Sequence, residues 1–354
     1  MVMIIAEAGV NHNGDRQMAL DLVRVAAESG ADAVKFQTFN AERLAALSAP
    51  KARYQQQTTD SLETQLAMLK RLELPEAWHR ELQDYAASLG IVFVSTAFDT
   101  QSLAFLQSLD LPFYKVPSGE ITNGPLLLAF ARTGKDLIIS TGMSTLAEVE
   151  QSLAVVAYGY CHEGDPDSLE NVLRFWSTES ARKAILDKVT LLHCTSQYPA
   201  PMHEVNLKAM ETLAGAFGLP VGYSDHTEGT VVPVAAAARG AVVIEKHFTL
   251  SRNLPGPDHL ASLEPEELAE MVRQVRAVEL ALGDGVKRPQ PTEWDTRQAA
   301  RQQVVFLRPV KKGEVIEREA LSTARCGRGR VPMELWDLVG TVAIRDFEAG
   351  EVAE

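Results

Sequence analysis

Eight short runs rich in apolar and β-branched residues recur along the chain, each followed by an amphipathic stretch. The runs are 3–6, 33–39, 92–98, 113–117, 137–141, 189–195, 221–224 and 241–248. Stretches with helical periodicity, such as 17–29, 76–89, 101–109, 146–156 and 265–282, lie between and after them. Strands that are apolar nearly throughout, alternating with helices, predict a parallel sheet buried on both faces. Eight such units in about 280 residues match a closed (β/α)8 TIM barrel. A doubly wound open sheet is the competitor, and it would carry a glycine-rich phosphate loop after its first strand. Ala8-Gly9-Val10-Asn11-His12-Asn13-Gly14 fits neither the dinucleotide nor the Walker pattern.

The chain has 354 residues, which predicts one large domain and one small one. The barrel should occupy 1–282. Gly283-Asp-Gly285 and Pro289-Gln-Pro291 mark a turn-rich linker over 283–300, and 301–354 reads as a small β-rich domain with strands at 304–309, 320–324 and 339–344. Two segments break the barrel rhythm. Residues 41–64 follow a strand end and are expected to form a lid, whereas the polar stretch 159–180 precedes a strand and is expected to be peripheral.

Net charge is −13, so neither nucleic acid nor an anionic membrane is an expected partner. Three widely spaced cysteines, Cys161, Cys194 and Cys326, make no disulfide framework or zinc spacing and point to a reducing compartment. No apolar run is long enough to span a membrane, and the first residues lack a signal-peptide core. The expectation is a soluble cytoplasmic protein.

In a barrel the carboxyl ends of the strands converge on one mouth. Here those ends carry Glu7; Lys35 and Gln37; Ser95 and Thr96; Lys115, Ser118 and Glu120; Ser140; His193, Ser196 and Tyr198; Ser224, Asp225 and His226; and Glu245, Lys246 and His247. Any one of these can simply cap a strand. Together, two lysines at the ends of apolar strands, where a lone buried ammonium is costly, plus several hydroxyls, predict a phosphate or carboxylate site. His226 and His247 end adjacent strands, where two neutral imidazoles can hold a divalent metal, although the spacing alone leaves a structural role open. Cys194 and His193 alternate to opposite faces, so a Cys–His nucleophile pair is not expected. The turn Leu254-Pro255-Gly256-Pro257-Asp258-His259 either reverses the chain or holds Asp258 over the mouth, and His12 reads as structural.

With these residues in place, the chain resembles the sialic acid synthases and their legionaminate and pseudaminate relatives. The matching motifs are Ile5-Ala-Glu7-Ala-Gly-Val-Asn11-His-Asn-Gly14, Val34-Lys-Phe-Gln-Thr38, Lys115-Val-Pro-Ser-Gly-Glu120, Ser140-Thr-Gly-Met143, His193-Cys-Thr-Ser-Gln-Tyr-Pro199, Gly222-Tyr-Ser-Asp-His-Thr227, Glu245-Lys-His-Phe-Thr249 and Gly256-Pro-Asp258. They occur in family order, and the tail resembles the antifreeze-like (SAF) domain of these synthases. The resemblance implies condensation of phosphoenolpyruvate with an open-chain N-acetylated hexosamine. It implies phosphoenolpyruvate contacts at Lys35, Gln37, Thr96, Lys115, Ser118, Ser140 and Ser224. It implies sugar contacts at Glu7, Ser196, Tyr198 and Asp258, and a divalent metal at His226 and His247, with manganese preferred to magnesium or cobalt. Glu120 is the carboxylate expected near the reacting carbon. N-acetylmannosamine is the first expectation for the sugar and 2,4-diacetamido-2,4,6-trideoxymannose the alternative.

The tail departs from the family pattern. Arg-Pro-Gly is usual there, with the Arg reaching a partner subunit's barrel; here the segment reads Arg325-Cys326-Gly327-Arg328-Gly329-Arg330. Arg325 aligns best, and a domain-swapped homodimer is the implied assembly. A Schiff-base aldolase using Lys35 or Lys115 and a non-catalytic sugar-binding protein are the competing readings.

Overall fold

The computed structural model of the chain describes all residues except 53–54, 57–58 and 60–62. The chain divides into two compact units, Met1–Gly283 and Asp284–Glu354.

The first unit holds eight parallel strands: β1 Met3–Gly9, β2 Ala33–Thr38, β3 Val92–Ala97, β4 Phe113–Val116, β5 Asp136–Ser140, β6 Val189–Cys194, β7 Val221–Asp225 and β8 Val243–His247. Their ladder order is β3-β2-β1-β8-β7-β6-β5-β4. β3 and β4, the two ends of that order, lie side by side, so the sheet comes round on itself as a near-closed (β/α)8 barrel. All eight predicted runs are strands. The main difference is β1, which runs on from Ala6 to Gly9 and so takes Glu7 into the sheet, paired with Lys35 and His247.

Local chemistry starts the helices between them. The Asp15 carboxylate accepts the Met18 N–H at the head of helix Arg16–Glu28. Thr145 and Glu148 form a reciprocal capping box for Leu146–Cys161. Pro265 opens the helix Pro265–Leu282, where its missing N–H costs no helical bond. The 159–180 stretch is less irregular than its polarity predicted. The preceding helix runs on to Cys161, and Leu169–Trp176 follows it, with Ser168 as its cap. Residues 162–168 remain an irregular connection, while the polar residues of Leu169–Trp176 form that helix's solvent face.

Strand periodicity sets what faces the barrel axis. Ile5, Ala33, Val94, Phe113, Ile138, Leu192 and Val243 form an apolar plug. Two residues further along the same strands stand Glu7, Lys35, Thr96, Lys115, Ser140, Cys194 and Glu245. A period of two keeps both sets on one face, so a polar layer rests directly on the plug. The alternate positions, among them Ile4, Val34, Phe36, Tyr114, Ile139, Leu191 and Ile244, pack outward in the main core.

In the second unit β9 Gln302–Phe306 pairs antiparallel with β10 Leu321–Arg325 around Val304, Phe306, Val310, Ile316, Leu335 and Phe347. Two expectations change here. The predicted strand at 339–344 is shortened: residues 339–340 form a turn, with Gly340 at φ +84°, and 341–343 hydrogen-bond to 313–316 through Ile316 N–H to Thr341 and Ala343 N–H to Glu314. The linker region 283–300 contains a helix, Trp294–Ala300. Pro291 lies at the start of the single turn that leads into it, so the proline that signalled a turn begins a helix. Among the described residues no helix is long and apolar enough to cross a membrane.

Candidate active site

A cavity of about 470 Å³ opens at the carboxyl ends of the strands. It is lined by Glu7, Lys35, Gln37, Thr96, Lys115, Ser118, Glu120, Ser140, Ser196, Tyr198, Ser224, His226, His247 and Asp258. These are all the barrel positions that the sequence singled out as site residues. Arg325 belongs to the second unit, where it ends β10 and is exposed. The predicted lid contributes Leu44, Ala52 and Gln55 to the lining, joined by Gln65, Met68, Leu69 and Leu72 of the helix Gln65–Leu72. Residues 53–54, 57–58 and 60–62 of that lid lie outside the described residues.

The floor is a buried array of alternating charge. Lys35 Nζ lies 2.7 Å from Glu7 and 3.6 Å from Glu245, and Lys115 Nζ lies 3.0 Å from Glu245. Lys35 also donates to Thr96 Oγ1 at 3.1 Å, Gln37 Nε2 to Glu7 at 3.2 Å, and Ser224 Oγ to Glu245 at 3.0 Å. Sequence reasoning took the buried lysines as lacking anionic partners; the protein itself supplies Glu7 and Glu245. Burial alone would lower the Lys35 pKa, but Glu245 and Glu7 outweigh it and raise it. Burial would raise Glu245, but Lys115 and Lys35 hold it far below the usual carboxylate range. At Glu7 burial wins over Lys35, and the pKa is raised. Glu245 is the central partner that sequence reasoning left without a role. Its signal was present, because it shares a strand face with His247.

Ser140 Oγ is buried with no hydrogen-bond partner among the described residues, and it lines the cavity. Ser118 Oγ accepts the Gly142 N–H at 3.1 Å and sits 3.2 Å from Cys194 Sγ. A Cβ at Gly142 would stand 2.3 Å from Ser196 Oγ and 2.8 Å from Ser118 Oγ, so only glycine lets the backbone approach these hydroxyls so closely. Glu120 is held by Asn123, whose Nδ2 donates to it at 2.7 Å.

The two histidines lie side by side with ring centroids 5.5 Å apart, and the Tyr198 ring sits 4.2 Å from that of His226. His226 Nδ1 is 2.7 Å from the Thr195 carbonyl. A carbonyl only accepts, so Nδ1 carries the proton and Nε2 keeps its lone pair. His247 Nδ1 is buried without a hydrogen-bond partner among the described residues, 3.8 Å from Asp258. Burial lowers His226 to about 4 and His247 well below its ordinary value, so both rings are neutral at pH 7. Burial, then Glu7, raises Asp258 to about 7. Two neutral imidazoles, one with an orphaned nitrogen, fit a divalent transition metal. Among the described residues no cluster of three potential ligands is assembled, so such an ion would keep open positions.

The remaining strand-end residues point outward, as alternation requires. Ser95 pairs with Thr38 at 2.7 Å, and His193 Nε2 donates to the Val205 carbonyl at 2.8 Å. Lys246 meets Asp225 at 2.5 Å and also donates to the Thr227 carbonyl. His12 lies outside the cavity, where its Nδ1 accepts the Gly14 N–H at 3.0 Å. Opposite the charged floor the lining is apolar: Val10, Phe39, Leu44, Met68, Leu69, Leu72 and Phe98 cluster apart from the main core. Sequence reading missed this wall, because its residues come from four separate segments.

A parallel barrel whose mouth joins a buried lysine–carboxylate array to two neutral histidines has the layout of a barrel enzyme, with its polar groups gathered at the carboxyl ends of the strands. Comparison with known proteins then gives the family. The NeuB family model matches residues 22–287 and the SAF domain model residues 301–353, and the chain belongs to the NeuB family of nonulosonic acid synthases. It is 48% identical over 347 residues to the N,N'-diacetyllegionaminic acid synthase of Legionella pneumophila, covering 98% of this chain and 92% of that one. It is 44% identical over 350 residues to the Campylobacter jejuni synthase of the same name, covering 99% and 98%. Human N-acetylneuraminate-9-phosphate synthase is 35% identical over 340 residues, covering 95% and 87%. Among solved structures, the N-acetylneuraminic acid synthetase of Leptospira borgpetersenii in complex with citrate superposes with a TM-score of 0.68 at 32% identity, covering 83% of this chain and 90% of that one.

Proposed function

We propose that the protein condenses phosphoenolpyruvate with open-chain 2,4-diacetamido-2,4,6-trideoxymannose and water, releasing phosphate and N,N'-diacetyllegionaminic acid. The observation that carries the condensation is that the lysine and hydroxyl set and the histidine pair line one cavity. Identities of 48% and 44% to two diacetyllegionaminic acid synthases, against 35% to a neuraminate-type synthase, favour this sugar over N-acetylmannosamine, the first expectation from sequence.

In this reading Lys35 and Lys115 exchange part of their pairing with Glu7 and Glu245 for the phosphate and carboxylate of phosphoenolpyruvate. Gln37, Thr96, Ser118, Ser140 and Ser224 complete that shell, and Ser140 brings a hydroxyl with no competing partner among the described residues. His226 and His247 would hold a divalent ion, with manganese proposed before magnesium or cobalt on the resemblance to the synthase family. Bound there, it supplies Lewis-acid polarisation of the sugar aldehyde. Glu7, Ser196, Tyr198 and Asp258 line the sugar's side of the cavity. Holding both reactants in one enclosure replaces a bimolecular encounter by a local one. The methylene carbon of phosphoenolpyruvate attacks the aldehyde carbon, the aldehyde oxygen takes up a proton to become a hydroxyl, and an oxocarbenium is left at C2. Water adds at C2 as Glu120 takes one of its protons, and the tetrahedral intermediate expels phosphate while its C2 hydroxyl loses the other proton to give the 2-keto acid.

The test is phosphate release from phosphoenolpyruvate with 2,4-diacetamido-2,4,6-trideoxymannose and with N-acetylmannosamine. Faster release with the first is expected; release with neither overturns the synthase reading. A Schiff-base aldolase is disfavoured because Lys35 and Lys115 are both held in ion pairs with buried carboxylates, and those carboxylates raise the Lys35 pKa above its ordinary value. Borohydride with pyruvate should therefore trap no adduct. The assembly proposed is a domain-swapped homodimer in which Arg325 completes the partner's site. Mixing inactive Arg325→Ala and His247→Ala chains should then restore about a quarter of parental activity, because half the dimers are mixed and each has one intact site.

A further inference from the structure

The mouth cavity has two unlike sides. Around its floor every strand end brings a charge, a hydroxyl or an imidazole. Its opposite wall is built from Val10, Phe39 and Phe98, just past the ends of β1, β2 and β3, and from Met68, Leu69 and Leu72 of the helix Gln65–Leu72. Phe39 and Phe98 meet edge to face at 5.9 Å. Met68 is 1% exposed, whereas Leu69 and Phe98 are half-buried and line the cavity. β8 borders β1 in the ring, with Glu7 paired to His247. A molecule whose reactive end sits at the histidine pair, and which runs along β1 past Glu7, reaches Val10 and this wall with its far end.

Such a wall does not suit an acceptor that is hydroxylated at every carbon. A hydroxyl pressed against leucine, methionine and phenylalanine gives up its hydrogen bonds to water and gains none. A methyl group in the same place gains contact and loses nothing. We infer that the wall formed by Val10, Phe39, Met68, Leu69, Leu72 and Phe98 selects the acceptor by its far end, and that the group seated there is the C6 methyl of a 6-deoxy sugar. This rests on the synthase reading above and adds to it the residues that choose among nonulosonate precursors. The wall also has a second consequence. The side chains that pack the helix Gln65–Leu72 onto the barrel are the same ones that line the cavity, so seating a methyl group there completes an apolar cluster, whereas a hydroxyl leaves it wet.

The experiment compares two acceptors that differ only at C6: 2,4-diacetamido-2,4,6-trideoxymannose and its 6-hydroxy counterpart, 2,4-diacetamido-2,4-dideoxymannose. Phosphate release is measured at saturating phosphoenolpyruvate for the parent and for Leu69→Gln and Met68→Gln. The parent should favour the 6-deoxy sugar in kcat/KM by roughly 10- to 100-fold, the range one such group commands in an apolar pocket. Leu69→Gln should shrink that ratio at least about fivefold, chiefly through KM for the 6-deoxy sugar, with KM for phosphoenolpyruvate unchanged. A wall that served only to pack the lid would lower stability and shift both sugars equally. Equal efficiency with the two sugars in the parent, or a ratio unmoved in both variants, overturns the inference and leaves the synthase reading standing. Release from neither sugar overturns that reading itself. The parental ratio needs no variant, so misfolding of one substitution does not shield the inference.

Discussion

Replacing Asp225 by Leu removes one half of an ion pair that solvent does not reach. Asp225 and Lys246 are both fully buried, 2.5 Å apart, and paired in register on β7 and β8 immediately before His226 and His247. The Asp225 carboxylate also accepts the Thr227 N–H at 3.1 Å and the Thr227 hydroxyl at 2.9 Å, so the pair ties down the residues on either side of His226. Breaking a buried pair from one side costs about 3–5 kcal/mol, because the surviving charge is stranded. The two sides are not equivalent here. Without Asp225 the ammonium keeps only the Thr227 carbonyl; without Lys246 the carboxylate keeps both Thr227 donors. Asp225→Leu should therefore sit at the upper end of that range and Lys246→Met at the lower. At about 2–4 °C per kcal/mol for a unit of this size, the first shift in Tm is roughly 10–20 °C. Replacing both residues by Leu and Met removes both charges, and the loss should be smaller than for Asp225→Leu alone, a coupling of about 2 kcal/mol or more. Urea denaturation of the four proteins measures this cycle. A double variant whose loss equals the sum of the singles would refute the reasoning, since the pair would then contribute nothing beyond its separate members.

Other consequences are as direct. Glu120→Gln keeps the cavity and the Asn123 contact but removes the base, so kcat should fall roughly 10²- to 10⁴-fold with phosphoenolpyruvate affinity retained; full turnover would exclude that role. Gly142→Ala forces Ser118 and Ser196 aside, and KM for phosphoenolpyruvate should rise about tenfold with little change in fold; an unchanged KM would remove Ser118 from the site. EDTA should abolish activity, manganese should restore it, and His247→Ala should weaken manganese binding, read by electron paramagnetic resonance, at least about tenfold; equal binding in that variant would move the metal elsewhere. Burial lowers His79 to about 4, so its contribution is fully present above its unfolded pKa near 6.5 and is lost as pH falls toward 4. At pH 4.5 the parent should have lost about 2.5 kcal/mol on this account, which His79→Leu should not lose; urea midpoints whose difference does not change with pH would refute it.

Much of this site was legible because strand periodicity is rigid. Once eight apolar runs were set in a barrel, period two decided that Lys35 faces inward with Gln37 and Glu245 with His247, while Lys246 faces out. The end of β1 was harder to read. The sequence alone suggested a strand closing at Ala6, whereas pairing with both β2 and β8 carries it through Glu7 to Gly9. In the second unit, the apolar residues at 339–344 suggested a full strand, and only the φ of Gly340 revealed the turn that shortens it.

Composition and pattern by themselves determined the barrel, the small second unit and the identity of the mouth residues, because these depend on spacing along one chain. Which of those residues touch depended on the tertiary structure. The lysines are not bare cations awaiting an anion but are already held by Glu7 and Glu245. The apolar wall exists only where four separate segments meet. Both are products of packing between residues distant in sequence, and no local pattern encodes a distance across a barrel.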